Sequence, residues 1–222
     1  MKTTTTNNLP KKRLAFSLIE LLVVIAIIGV LASLVVGLSS VASTRSRESR
    51  VRAELNQYVS AIESFKTHFG YYPPDALSGT NVNPAVNPLY YELSGTVVDN
   101  NAKTFQAGNG SALNTTSVRQ IFGRDGFVNA AADAKELKPV IANWKASQVK
   151  GVTVNGVQVQ LLVVPVDLRP VDPAVVPGAG NQRVNPWRYV STNPTNNPTT
   201  FDLWAEVPIG KDGTKRIGNW KE

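Results

Sequence analysis

The stretch KKRLAFSLIELLVVIAIIGVLA, residues 11–32, decides how the rest of the chain is read. Lys11, Lys12 and Arg13 precede it, and between Arg13 and Arg45 the only charged residue is Glu20. A bilayer core about 30 Å thick takes about 20 apolar residues in a helix. Phe16 to Leu38 supplies 23 residues, so a membrane-spanning helix is predicted over 16–38. The run exceeds the short apolar region of an ordinary secretory signal, for which Val41-Ala42-Ser43 would be the cleavage candidate. Lipid attachment at a cysteine is excluded, since the chain has none. Glu20 is the anomaly: a carboxylate in an apolar helix costs a few kcal/mol and is a functional-site candidate, the other reading of the residue alone being that it lies near the membrane surface and reaches water.

These residues resemble the prepilin signal of type IV pilins and type II secretion pseudopilins. The resemblance implies that a prepilin peptidase cuts between Ala15 and Phe16, so that residues 1–15 are a leader. It also implies that the new amine of Phe16 is methylated and that Glu20 acts in assembly. Ala15 stands where the family usually has glycine; alanine is small, and slower processing at worst is expected. Cleavage places an ammonium at Phe16. A carboxylate buried in a bundle of helices needs a partner, and the ammonium of the next subunit can supply one. Such a contact is heterologous and open, which generates a helical filament.

From Val51 the apolar residues Val51, Leu55, Tyr58, Ile62, Phe65 and Phe69 recur at alternating spacings of four and three, the stripe of a helix with one buried face. Arg52, Glu54, Gln57, Glu63 and Lys66 are assigned to the opposite face, with Glu63 and Lys66 placed to pair. Gly70 suits a left-handed cap and Pro73-Pro74 ends the helix. A helix over Phe16–Phe69, about 80 Å long, is therefore predicted, its half over 39–70 amphipathic. His68 falls in the last turn on the polar side and is read as solvated.

Residues 71–222 are predicted to form a globular domain, and the fold class is α+β: a long helix packed on a small antiparallel sheet, as in pilins. Residues 71–130 read as long loops with short ordered pieces, Leu89–Leu93 among them as a short helix or strand. Residues 130–148 read as helical, with Pro139 as a break or new first turn. Alternating valines around Asn155-Gly156 signal a hairpin. Leu161–Val166, Trp187–Ser191 and Thr200–Glu206 read as strands, and 169–184 as a Pro/Gly-rich loop. Trp187 and Trp204 are read as core or loop-pinning residues. Gly123-Arg124-Asp125-Gly126 is a turn, because no phosphate-loop context follows it.

NPWRYV (185–190), FDLWAE (201–206), IGKDG (209–213) and IGNW (217–220) resemble, in that order, the C-terminal part of the major pseudopilin of type II secretion. Asn185 stands for that family's aspartate and Arg188 for its glycine. The resemblance implies a calcium site in the loop before IGNW. Calcium takes six to eight oxygens, several from carboxylates. That loop is Thr214-Lys215-Arg216 here and holds no acid. The donors left are Asp202, Glu206 and Asp212; no cofactor is otherwise expected, and an internal contact from Lys215 or Arg216 to a carboxylate is expected to hold the loop instead. The family's middle region is shorter, so 76–151 is an elaboration, read as an extended loop region.

The net charge of +7 falls to +3 when Lys2, Lys11, Lys12 and Arg13 leave with the leader. Arg45, Arg47, Arg50 and Arg52 follow the apolar run, so the basic clusters flank a membrane segment and suggest anchoring before nucleic acid. One histidine and no cysteine leave no His-based metal cluster, Ser-His-Asp arrangement or thiol chemistry. Asp167, Asp172 and Asp202 form no paired constellation, and the chain is not read as an enzyme. The resemblance implies a subunit of a type II secretion pseudopilus. The alternative is a type IV pilin or minor pilin acting in adhesion, motility or DNA uptake. Its expected partners are further copies of itself or related subunits, the prepilin peptidase and an inner-membrane assembly platform. Its expected location is the inner membrane, single-pass, with a cytoplasmic N-terminus and a periplasmic domain.

Overall fold

The computed structural model describes residues 17–78, 81–166, 176, 179, 182–209 and 213–221, with side chains described at all of these except 34–42, 78 and 209. The chain divides into two units at Arg45 and Ser46. Helix α1 runs Leu18–Phe69. In the first unit its large apolar side chains from Leu18 to Leu31 are 46–81% exposed. Among the described residues no helix is long and apolar enough to cross a membrane. The predicted 16–38 span extends past Ser33, the last residue of the apolar run with a described side chain.

In the second unit the periodic face of α1 does what its spacing requires. Val51, Leu55, Tyr58, Ile62 and Phe65 are buried, and Phe69 packs half-buried at the end. Each such side chain contributes about 2 kcal/mol on leaving water. The helix stops at Gly70, whose φ of +86° is left-handed and whose N–H donates to the Lys66 carbonyl at 2.8 Å. Glu63 and Lys66 meet through Tyr72: its hydroxyl donates to Glu63 at 3.1 Å and accepts from Lys66 at 3.2 Å. Glu54 corrects the assignment to the solvent face: it is half-buried, and loss of water raises its carboxyl above the usual range. His68 is exposed, as expected.

Residues 71–151 are far more ordered than loops. Strands β1 (Leu77–Ser78) and β2 (Asn81–Val82) pair antiparallel, and Leu89–Ser94 is helix α2. Strands β3 (Thr96–Asp99), β4 (Thr104–Ala107), β5 (Ala112–Asn114) and β6 (Ala130–Ala131) form a sheet in the order β5-β4-β3-β6. Its pairings are antiparallel except β3 with β6. Helix α3 (Thr115–Phe122) starts at Asn114, whose side chain accepts from Ser117 N–H at 2.7 Å. It ends at Gly123, at φ +67°, where a Cβ would collide with the Leu77 carbonyl. Tyr91, Phe105, Phe122 and Phe127 close the core here, with Tyr91 stacked on Phe127 at 4.6 Å.

The predicted helix over 130–148 is absent: β6 opens the segment and one 3₁₀ turn covers Ala134–Glu136. Pro139 removes a donor, and Val140 and Ile141 instead donate to the Leu93 carbonyl at 2.9 and 3.0 Å. The segment thus clips onto α2 in extended form.

The hairpin is present as β7 (Val149–Val154) and β8 (Val157–Leu162), turning through Asn155 and Gly156 at φ +49° and +81°. It is a sheet of its own. Beyond Leu162 the expected strand continues only as a bridge from Val163 to Pro186. Strands β9 (Arg188–Val190), β10 (Asp202–Ile209) and β11 (Gly213–Gly218) make an antiparallel sheet in the order β11-β10-β9. β11 occupies the stretch read from the sequence as a loop. Most of 169–184 lies outside the described residues.

Candidate functional site at the start of the first helix

Ala15 and Phe16 lie outside the described residues, which begin at Ser17. Ser17 and Glu20 bond reciprocally. The Glu20 carboxylate accepts from Ser17 N–H and Ser17 Oγ, both at 2.9 Å, and Glu20 N–H donates to Ser17 Oγ at 3.2 Å. This is a capping box: the residue before the helix and the third residue within it satisfy each other's orphan donors. The pattern Ser-x-x-Glu announces it, a signal the sequence reading above did not use. Glu20 is thereby held at the first turn, where a negative charge also meets the positive end of the helix dipole. Around it Leu18, Ile19, Leu21 and Leu22 are 55–81% exposed. The site is therefore one fixed carboxylate at the end of an uncovered apolar rod.

The matched sequence agrees with this geometry, for residues 10–36 fit the prokaryotic N-terminal methylation motif. The chain carries a type IV pilin-like prepilin signal. That signal implies processing by prepilin peptidase and assembly into pilus-like polymers, and it suggests anchoring in a membrane. It encloses Ala15, Phe16 and Glu20 alike. No curated protein and no solved structure matches the chain.

The carboxylates named for calcium are held by protein groups. Asp202 accepts from Asn196 N–H at 2.8 Å, Asn196 Nδ2 at 3.0 Å and Asn197 N–H at 2.9 Å. Glu206 pairs with Arg188 at 3.2 Å and Arg216 at 3.6 Å. The two acids stand four residues apart on β10 with separate partners, and they do not fit one calcium ion. Asp212 lies outside the described residues, among which no three acids or histidines gather to hold a metal. The internal contact expected of Lys215 or Arg216 is made by both: Lys215 Nζ lies 3.0 Å from Glu48 on α1, and Arg216 reaches Glu206.

The two departures from the pseudopilin pattern are both buried. Asn185 Nδ2 donates to the carbonyls of Val166 and Glu206, at 2.9 and 2.8 Å. Arg188 on β9 reaches Glu206 on the neighbouring β10, and burial lowers its pKa while Glu206 opposes that shift. Trp187 is fully buried against Tyr58 at 5.4 Å, and Trp204 packs on Trp220 at 5.9 Å, so both tryptophans are structural as expected.

Proposed function

We propose that the chain is a structural subunit of a type II secretion pseudopilus. The observation that carries this is the prepilin signal, in which Glu20 stands fixed at the first turn of an exposed apolar helix. Peptidase cleavage after Ala15 frees the amine of Phe16, which is methylated. Glu20 then exchanges its own Ser17 partners for the ammonium of a neighbouring subunit as the apolar helices bury one another. The subunit sits in the inner membrane with its N-terminus cytoplasmic and its domain periplasmic. An assembly platform adds it to the filament, and the work is mechanical, not catalytic. The four C-terminal matches favour a pseudopilus over a surface pilus. In place of a calcium ion, the pairs Lys215–Glu48 and Arg216–Glu206 tie β11 down.

Three variants separate assembly from simple capping. Ser17→Ala removes the box, costs about 1 kcal/mol at the helix end, and leaves filaments forming. Glu20→Gln keeps an acceptor without the charge, Glu20→Ala keeps neither, and both abolish filaments in a sheared-fraction or electron-microscopy assay. Equal loss in Ser17→Ala and Glu20→Gln would reduce Glu20 to a capping residue and sink the assembly role.

A further inference from the structure

We propose that a cleft of about 410 Å³ beside Trp144 binds a saccharide ring of a glycan chain. The cleft lies wholly within the second unit and does not rest on the filament reading. It forms where the loop between β4 and β5 faces the extended segment 142–146 and strand β8. Its volume is that of a small-molecule site.

The floor is aromatic and fixed. Trp144 Nε1 donates to Ser94 Oγ at 2.8 Å, and its ring leans on Tyr90 at 5.6 Å and on Tyr58 at 6.1 Å. Trp144 is half-buried and lines the cleft. A rigid, partly open indole offers a π-face to the C–H face of a sugar at little entropic cost.

The rim supplies the second half of sugar recognition. Asn143, Asn109 and Gln160 line the cleft, and a side-chain amide both donates and accepts, as a pair of hydroxyls requires. The side chains of Asn143 and Gln160 make no hydrogen bond within the described chain, and Asn109 uses only its oxygen, accepting from Ser111 N–H at 3.0 Å. Among the described residues no carboxylate lines the cleft, and Lys145 is the one cation there. One cation does not neutralise a nucleic-acid backbone, and a lining with three amide residues differs from the apolar socket of a peptide anchor. Lys145 can pair with a uronic carboxylate, while the amides serve neutral and acidic rings alike.

The test is a glycan array of neutral, N-acetylated and uronic-acid oligosaccharides, probed with the full chain in detergent. Trp144→Ala removes packing as well as the floor, so the deciding variants are Asn143→Ala, at an exposed position, and Gln160→Ala, with their melting temperatures checked against the parent. Retention on sugars of any of these classes, weakened about tenfold by each amide deletion at unchanged melting temperature, is the expected result. Retention of uronic sugars alone, lost with Lys145→Ala, supports the same cleft. Absence of any bound sugar, or binding unaffected by both amide deletions, overturns the proposal.

Discussion

Glu92 has no exposed surface, and its carboxyl accepts from Val128 N–H at 3.1 Å and Asn129 N–H at 3.0 Å. Burial is the largest influence and pushes its pKa up to about 7, against the two N–H groups and Arg124, which lower it. The folded chain therefore holds a proton that the unfolded chain has already released. Stability contributed here is present below the unfolded value of 4.5 and is lost as pH rises towards 7. The loss is on the order of 3 kcal/mol. Chemical denaturation at intervals from pH 4 to 8 checks this: the parent declines across the window and Glu92→Gln declines less. Arg188 poses the opposite question. With its side chain 5% exposed, Arg188 truncated to alanine empties a buried site and leaves the half-buried Glu206 carboxylate with Arg216 alone, at a cost of about 2 kcal/mol. Arg216→Ala, at a side chain 69% exposed, costs under about 1 kcal/mol in the same urea melts.

At the scale of elements, the β7–β8 turn carries a definite prediction. Gly156 at φ +81° in the turn after Asn155 resists a side chain, and Gly156→Val lowers stability by about 1–2 kcal/mol in thermal melts, with Asn155→Ala intermediate. This turn was legible because Asn-Gly between alternating valines has a local cause. The same holds for the α1 stripe, the Gly70 stop, and β9 and β10, whose patterns reflect their own burial. The 130–148 segment was illegible because alanine and lysine content favours a helix that Pro139 and the bonds to Leu93 overrule, and those bonds join residues far apart in sequence. The inserted sheet was hidden for a related reason: β5 and β6 are three and two residues long and carry no pattern. β11 was hidden because Thr214-Lys215-Arg216 is polar, yet it pairs along β10 from Gly213 to Gly218. At the candidate site, Glu20 was legible as the lone acid of an apolar run, whereas its bonds to Ser17 required reading Ser-x-x-Glu as a cap.

At the scale of the whole molecule, the two units differ in what they bury. The second has a core of buried aromatics, and its β11 is tied to Glu48 by Lys215 and to Glu206 by Arg216. Adding EDTA to purified protein accordingly leaves its melting temperature unchanged, and a drop would point to a cation near Asp212. The first unit exposes its large apolar side chains from Leu18 to Leu31, a state that water does not favour and that lipid or neighbouring helices would relieve. Everything in the filament account follows from a free amine being created one residue before the capping box. The most direct measurement is the intact mass of the protein recovered from cells with its native peptidase. A mature chain that begins at Phe16 and carries one added methyl group is the predicted result. A chain that retains residues 1–15, or begins at another residue, contradicts it.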